Sequence, residues 1–245
     1  MKLILFLGSL LATSCLVGAS ARTVATQTPG TTAIDPIPPA KSGITLVVER
    51  GSEPVLDHVL AEYERATGLH LVVSRDVAAQ LAKTPCGLSQ TLDIPAGRVH
   101  STIGRLLVPH GYLLTLLQAE QPVLLGVENA QDPTVRARAW SVPVEAIAAM
   151  SEHPALLVST LVTLRHTSAR DLSKSARELS MEPNVQQMVP MGRSNSLMLI
   201  GRGADVATLA GTLLELDELE RQERVEEEQR EAERRAERKR VPEPK

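Results

Sequence analysis

LVSTLVTLRHTSARDL, residues 157–172, opens the stretch of this 245-residue chain that decides its fold, residues 157–216. Its first eight residues alternate as a strand does, with Val158, Thr160 and Val162 on one face. Ser168, followed by Asp171 three residues later, has the spacing of a helix cap, and apolar residues then recur at helical intervals. The pattern predicts a strand that leads into a helix.

A hairpin and a second helix are predicted next. Two short strands are expected at 184–189 and 196–200, and the loop between them contains Gly192 and Asn195, which tolerate the positive φ of a hairpin. After Gly203, apolar residues recur at helical spacing as far as Leu216. The stretch therefore predicts a βαββα unit, KH-like in element order, with helices packed on a short mixed sheet. This places the chain in the α+β class.

A second small α+β unit is predicted at 44–128. Strands are expected at 44–48, 69–73, 88–94, 112–117 and 122–127, and helices between them at about 55–63, 75–83 and 99–110. Gly68 and Gly111 stand where two of these helices end. The connector, residues 129–156, is expected to add an edge strand at 135–140 and a short helix at 144–150. Trp140 either packs under this connector or anchors a partner.

Two motifs in 157–217 are similar to a known module. Residues 164–172 resemble the opening of the NolW-like ring-building module of bacterial outer-membrane secretins, in which a small polar pair caps a helix and an acidic residue precedes a leucine. Residues 193–201 resemble the arginine, hydroxyl residue, asparagine, hydroxyl residue and apolar strand ending in glycine of the same module. The motif residues, to which the resemblance gives a structural or assembly role, are Ser168, Asp171, Leu172, Arg193, Ser194, Asn195, Ser196, Leu197 and Gly201.

The first unit also has a counterpart in that family. Residues 55–60, 67–77 and 92–96, followed by Gly111 and Tyr112, resemble the short N-terminal domain shared by secretins and some TonB-dependent receptors, and the two units follow the family's order. The resemblance implies periplasmic modules that work by protein–protein contact without a cofactor. Since no β-rich segment follows residue 217, we expect a secretin-type domain pair without the secretin barrel. It would assemble with itself as an oligomer, or dock on a separate secretion or pilus machine at the outer membrane. The alternative is a monomeric periplasmic binding or signalling adaptor that shares only the fold.

Residues 1–21 have the features of an export signal. Lys2 supplies a positive charge, an apolar core runs over residues 3–12, and Ala19 and Ala21 match a small-residue cleavage site. The stretch is short for a bilayer span, although a retained anchor and lipidation of Cys15 stay open as alternatives. We expect a signal peptide cleaved after Ala21, a disordered Pro- and Thr-rich spacer over 22–43, and a periplasmic location, with or without attachment to the outer membrane.

Residues 218–245 form a charged tail. Glutamate and arginine recur three and four residues apart, which predicts a solvated helix, and the apolar a and d positions of a coiled coil are not sustained. This charged helix is either a spacer or a partner-docking element. A formal net charge of −3 and only 2% aromatic residues argue against nucleic acid as a partner.

No residue pattern predicts catalysis. None of the six histidines has a second histidine or a cysteine at metal-ligand spacing, and the G-x-S-x-G motif is missing. Cys86 is expected to be a packed or loop cysteine. A KH nucleic-acid module would need a GXXG loop between helices, and residues 201–203 have another spacing. We therefore predict a protein that is not an enzyme and holds no cofactor or metal; a hydrolase would have to depend on Ser194, His166 or Asp171.

Overall fold

The computed structural model describes residues 36–49, 53–177 and 185–240. The predicted export signal with Ala19 and Ala21, Cys15, and the spacer as far as residue 35 lie outside these ranges. The end of the predicted helix that contains Leu179 and the start of the strand predicted from Asn184 also lie outside them.

The described residues form short strands and helices in an alternating order. The strands are β1 Ile44–Leu46, β2 His70–Val73, β3 Leu92–Ile94, β4 Tyr112–Gln118, β5 Leu124–Asn129, β6 Trp140–Ser141, β7 Leu157–Thr163, β8 Gln187–Met191 and β9 Ser196–Arg202. The α-helices are α1 Leu56–Thr67, α2 Arg75–Leu81, α3 Val99–Leu107, α4 Ala169–Arg177 and α5 Gly203–Arg240. Shorter 3-10 helices cover Ala96–Arg98, Val108–His110, Val135–Arg138 and Val144–Glu152.

The first unit contains two small sheets with helices packed on them. Strand β1 pairs antiparallel with β3, and a second sheet has the order β2-β5-β4, with β2 parallel and β4 antiparallel to β5. Helix α1 buries Leu56, Val59 and Tyr63 in the core, at the spacing of one helix face. Gly68, with a φ of 74°, ends α1, and Gly111, with a φ of 76°, precedes β4. The predicted order of elements is confirmed, with β1 and β3 shorter than expected.

The second unit is the predicted βαββα fold. Its sheet has the order β6-β7-β9-β8, and β7, β9 and β8 are antiparallel neighbours. Val158 and Val162 of β7, with Leu197 and Leu199 of β9, lie on the face that α5 covers and are fully buried. Helix α4 contacts β8 and β9, while α5 contacts β7 and β9. Within the described ranges, neither of these two helices covers the opposite face of the sheet.

The connector differs from the sequence-based expectation. The edge strand predicted over 135–140 is wrong, since Val135–Arg138 is a 3-10 helix and only Trp140–Ser141 forms β6, parallel to β7. The carboxylate of Asp132 accepts hydrogen bonds from the backbone and side chain of Thr134, and this local turn starts the 3-10 helix instead of a strand. The helix predicted at 144–150 is a 3-10 helix, Val144–Glu152. Trp140 is half-buried against the core.

Strand β8 is shifted towards the hairpin. It runs over Gln187–Met191, so that Pro190, predicted to lie in the loop, is part of the strand. Because β8 is an edge strand, a residue without an N–H can be accommodated there. The hairpin loop is therefore shorter than expected and consists of residues 192–195.

Contacts with neighbouring segments extend both units. The N–H of Leu114 in β4 donates to the carbonyl of Ala155 at 2.8 Å, just before β7, and the N–H of Gly203 donates to the carbonyl of Leu156 at 2.7 Å. Residues 36–43, the end of the predicted spacer, pack on the first unit: Ile37 is buried, and the N–H of Lys41 donates to the carbonyl of Ala66. Apolar side chains from both units share one buried cluster.

Candidate functional site: a clamped loop and an open sheet face

Ser168 caps helix α4 as the sequence predicts. Its Oγ accepts a hydrogen bond from the N–H of Asp171 at 3.4 Å, and its carbonyl accepts one from the N–H of Leu172 at 3.1 Å. A separate hydrogen bond between the Ser168 side chain and the Asp171 carboxylate, helped by the charge of the nearby Lys174, lowers the pKa of that carboxyl. The carboxylate in the first turn of α4 also interacts favourably with the helix dipole.

Asn195 ties the hairpin loop to the loop between β7 and α4. Its amide nitrogen donates to the carbonyls of Leu164 at 2.8 Å and Thr167 at 2.9 Å, while its Oδ1 accepts from the N–H of Ala169 at 2.9 Å. The residue has a φ of 48°, in the region that glycine and asparagine tolerate best. The Asn195 side chain thus forms hydrogen bonds with three backbone groups. The positive φ of Asn195 orients its side chain towards them.

Asp217 holds the same loop from helix α5. Its carboxylate accepts hydrogen bonds from the N–H groups of Arg165 at 2.9 Å, His166 at 2.8 Å and Thr167 at 2.8 Å. Burial alone would raise the pKa of this carboxyl, but the three backbone donors outweigh burial, so its pKa is lowered. Since the side chain is only 8% exposed, these bonds compete little with water.

A third contact comes from the charged part of α5. The guanidinium of Arg224 donates through Nη2 to the carbonyl of His166 at 2.8 Å. Asn195, Asp217 and Arg224 therefore hold residues 164–169 from two sides, and we call this arrangement the loop clamp. Because Asp217 directly precedes the charged tail, the loop clamp fixes where α5 leaves the folded unit.

The other motif residues shape the same corner of the fold. Leu197 is fully buried, and Ser196 Oγ lies 2.9 Å from Thr163 Oγ1 on the adjacent strand. The Ser194 hydroxyl donates to the carbonyl of Met191 at 2.8 Å, within its own turn, and Arg193 is exposed. A Cβ on Gly201 would lie 3.1 Å from a methyl of Val206, so glycine lets α5 approach β9 closely. These contacts position backbone; they do not form a nucleophile and base.

The face of the second sheet opposite its helices carries one apolar row between two rows that mix apolar and polar side chains. Leu161, Met198 and Val189 stand side by side on β7, β9 and β8, because they are paired in register. Ile200 and Met191 lie in the rows on either side of them. Leu161 is 48% exposed, and the neighbouring residues are exposed or half-buried. We call these five residues the outer face.

One end of this sheet surface is covered by described residues. There Leu157 packs in a small cluster with Leu113, Val135 and Val185, and all four are buried. From Leu161 onwards the described residues of this surface are exposed or half-buried, except Ser196 next to the hairpin loop. The outward side of an antiparallel sheet is commonly polar where it meets water, so a row of three apolar side chains there is typical of a contact surface.

A cavity of about 280 Å³ lies beside the loop clamp, between the start of α4 and the hairpin loop. A larger one, of about 640 Å³, lies elsewhere and is lined by residues 37–40, by Gly97 and His100, and by His153. Tyr63 Oη lies 2.8 Å from His100 Nδ1, and Pro38 O lies 3.0 Å from His100 Nε2, so this histidine joins α1 to the preceding segment. Among the described residues, no group of three or more His, Cys, Asp or Glu could hold a metal ion.

No helix in the described ranges is both long and apolar enough to cross a bilayer. A search of protein-family models and one of curated proteins give no match.

Solved structures that resemble the chain come from bacterial secretion. One is the type II secretion system outer membrane complex of Klebsiella pneumoniae, with PulD, PulS and the PulC HR domain; the TM-score is 0.47 at 17% identity, over 68% of this chain and 26% of that chain. A second is the N-terminal domain of the Pseudomonas aeruginosa secretin XcpQ, with a TM-score of 0.23 at 12% identity over 71% of this chain and 64% of that chain. A third is the GspC–GspD complex of enterotoxigenic Escherichia coli, with a TM-score of 0.24 at 13% identity over 72% and 99%.

These structures belong to the class that the sequence motifs resemble, secretin periplasmic domains. Their TM-scores lie below 0.5, so the likeness alone does not assign a function to this chain.

Sequence reasoning identified one of the three residues of the loop clamp, Asn195, together with the cap at Ser168. Asn195 and Ser168 stand in the quoted motifs, and the structure brings both to the loop between β7 and α4. The roles of Asp217 and Arg224 were missed. An aspartate that continues the buried face of a helix four residues after Leu213 was a usable signal, because a buried carboxylate needs donors. The sequence around Arg224 did not distinguish it from the other arginines of the tail, so its contact could not be predicted.

Proposed function

We propose that this chain is an exported, non-enzymatic secretin-like periplasmic protein that acts by protein–protein assembly in an outer-membrane secretion or pilus system. The observation that carries the proposal is the outer face, with Leu161, Met198 and Val189 aligned across three strands, Leu161 exposed and the other two half-buried. Burying such side chains favours association by about 25 cal/mol per Å² of apolar surface. The sequence resemblance of residues 164–172 and 193–201 to the secretin ring-building module supports the same use.

The loop clamp supports this function through rigidity. A surface that binds a protein partner loses less conformational entropy when its backbone is already fixed. Asn195 and Asp217 together accept or donate six hydrogen bonds to backbone groups of residues 164–169. We assign Ser168, Asn195, Ser196, Leu197 and Gly201 to shaping the module that presents the outer face, and we assign none of them to catalysis.

The oligomeric state of the protein and its binding to envelope proteins distinguish the proposed function from the monomeric adaptor. The protein from Arg22 onwards is measured by light scattering over a range of concentrations, alone and with envelope proteins of a bacterium that carries such a system. We expect association that Leu161→Glu abolishes. Val47→Glu is the matched control, because Val47 is 56% exposed and lies outside the outer face. A concentration-independent monomer that binds no envelope protein would support the adaptor instead.

A further inference from the structure

Two methionines stand on the outer face. Met198 lies in its central row, paired in register with Leu161 and Val189, and Met191 lies in the next row towards the hairpin loop. Met191 is 38% exposed, and Met198 is half-buried. A small oxidant in solution can therefore reach the thioether of Met191 and, less easily, that of Met198.

The other sulfur-containing residues of the described ranges are less accessible. Met188 lies on the same strand as Met191 but three residues away, so it faces the opposite side of the sheet, where it packs against the main core cluster. Met150 in the connector is 1% exposed, and Cys86 is 3% exposed. Because an oxidant must reach the sulfur, the structure orders these side chains by reactivity, with Met191 first.

Oxidation changes the chemical character of a methionine side chain. Hydrogen peroxide transfers one oxygen atom to the thioether: an S–O bond forms, the O–O bond breaks, and the sulfur loses two electrons. The second oxygen takes up the proton of the transferred one and leaves as water. The product, methionine sulfoxide, is polar where methionine is apolar. Covering this group with an apolar surface that offers no hydrogen-bond donor costs free energy.

We propose that Met191 and Met198 are sites of reversible sulfoxide formation, and that their oxidation prevents the outer face from binding a protein partner. The inference rests on the proposed function, because it requires the outer face to be a contact surface. Assembly and oxidation then exclude each other, since a partner that covers the outer face also covers both sulfur atoms. Only protein that has not yet assembled is modified. Methionine sulfoxide reductases, one for each sulfoxide epimer, restore the apolar face.

Peptide mapping by mass spectrometry tests which sulfur atoms react. The protein carries Met181→Leu in every sample, because Met181 lies outside the described residues. With a limiting amount of hydrogen peroxide, we expect the sulfoxide of Met191 to form at least tenfold faster than that of Met150, with Met198 and Met188 between them. Equal rates at Met191 and Met150 would overturn the assignment.

Association after oxidation tests the consequence. Light scattering of the protein from Arg22 onwards, alone and with envelope proteins, is repeated after Met191 and Met198 have been converted to sulfoxides and the peroxide has been removed. We expect the apparent Kd to rise at least tenfold, and treatment with both reductases to return it to within twofold of its first value.

Leucine variants separate the two outer-face methionines from damage elsewhere. The double variant Met191→Leu/Met198→Leu keeps an apolar outer face without a thioether, so it should associate within twofold of wild type both before and after peroxide treatment. Met188→Leu is the matched control: it changes the same strand on the opposite side of the sheet, and its association should remain sensitive to peroxide.

The outcomes distinguish this inference from the proposed function. Absence of any association before oxidation would overturn the proposed function. Association that survives complete oxidation of Met191 and Met198 would overturn the inference and leave the proposed function intact. A loss of association in the oxidised double variant equal to that of wild type would also overturn the inference, because the effect would then arise at another residue.

Discussion

Asp217 offers the most direct test of the loop clamp. Its carboxylate accepts three backbone hydrogen bonds from residues 165–167 at 2.8 to 2.9 Å, in a setting that is 8% exposed. Asparagine has nearly the same shape but only one acceptor oxygen. Asp217→Asn therefore keeps an acceptor for some of the three N–H groups and turns an amide donor towards another.

The expected loss of stability follows from those three donors. A buried donor without a partner costs about 1–3 kcal/mol, and hydrogen bonds to charged groups contribute about 1.5–3 kcal/mol. We expect Asp217→Asn to lower the free energy of unfolding by about 2 kcal/mol and Asp217→Ala, which keeps no acceptor, by about 4 kcal/mol. Urea unfolding followed by circular dichroism measures both values.

The pH dependence supplies a second readout. The pKa of Asp217 is lowered in the folded protein from an ordinary value of 3.8. Its stabilising contribution is therefore fully present above about pH 4 and is lost as the pH falls through the lowered folded-state pKa. We expect the difference in stability between wild type and Asp217→Asn to be constant near neutral pH and to shrink below pH 4.

Glu215→Gln is the control, because Glu215 lies two residues earlier on the exposed side of α5. It should change the free energy of unfolding by less than about 0.5 kcal/mol. The reasoning is refuted if Asp217→Asn and Glu215→Gln have the same effect, or if the loss caused by Asp217→Asn is unchanged at pH 3.

Two further predictions concern backbone positions. Asn195→Gly keeps the positive φ but loses three hydrogen bonds, so it should cost about 2 kcal/mol, and Asn195→Ala should cost more because alanine also strains the turn; equal losses in urea unfolding would show that the φ is unimportant. A Cβ on Gly203 would lie 2.6 Å from the carbonyl oxygen of Met150, so Gly203→Ala should lower stability by about 1–3 kcal/mol. Gly211 lies in the same helix, and a Cβ there would have no neighbour within 4 Å outside the backbone of the helix, so Gly211→Ala should raise the stability by about 0.5–1 kcal/mol. Thermal unfolding measures the pair, and a change of the same sign in both would contradict the packing of α5.

The fold was predictable where local signals agreed. The alternation in β7, the cap at Ser168 and the apolar spacing of α5 each indicated one element, and each element is present. Prediction failed in the connector, because a two-residue strand such as β6 depends on pairing with β7, which is distant in sequence. The predicted boundary of β8 was wrong for the same reason. The strand can include Pro190 only because it lies at the edge of the sheet, and that position depends on distant strands.

The candidate site was only partly predictable. Asn195 could be singled out from its motif, but the groups it bonds lie 26 to 31 residues away in the chain, at Ala169, Thr167 and Leu164. The outer face was harder to predict. The alternation of β7 gives two faces, and only the packing of α4 and α5 on one of them shows that Leu161 faces solvent.

Crosslinking from the outer face tests the central claim most directly. A photoreactive residue replaces Leu161 in the protein from Arg22 onwards, and the same residue at Val47 is the control. After illumination in an envelope extract, products are separated by size and identified by mass spectrometry. The proposed function predicts crosslinks from position 161, to a second copy or to a component of a secretion or pilus system, and few from position 47. Equal yields from both positions would contradict it.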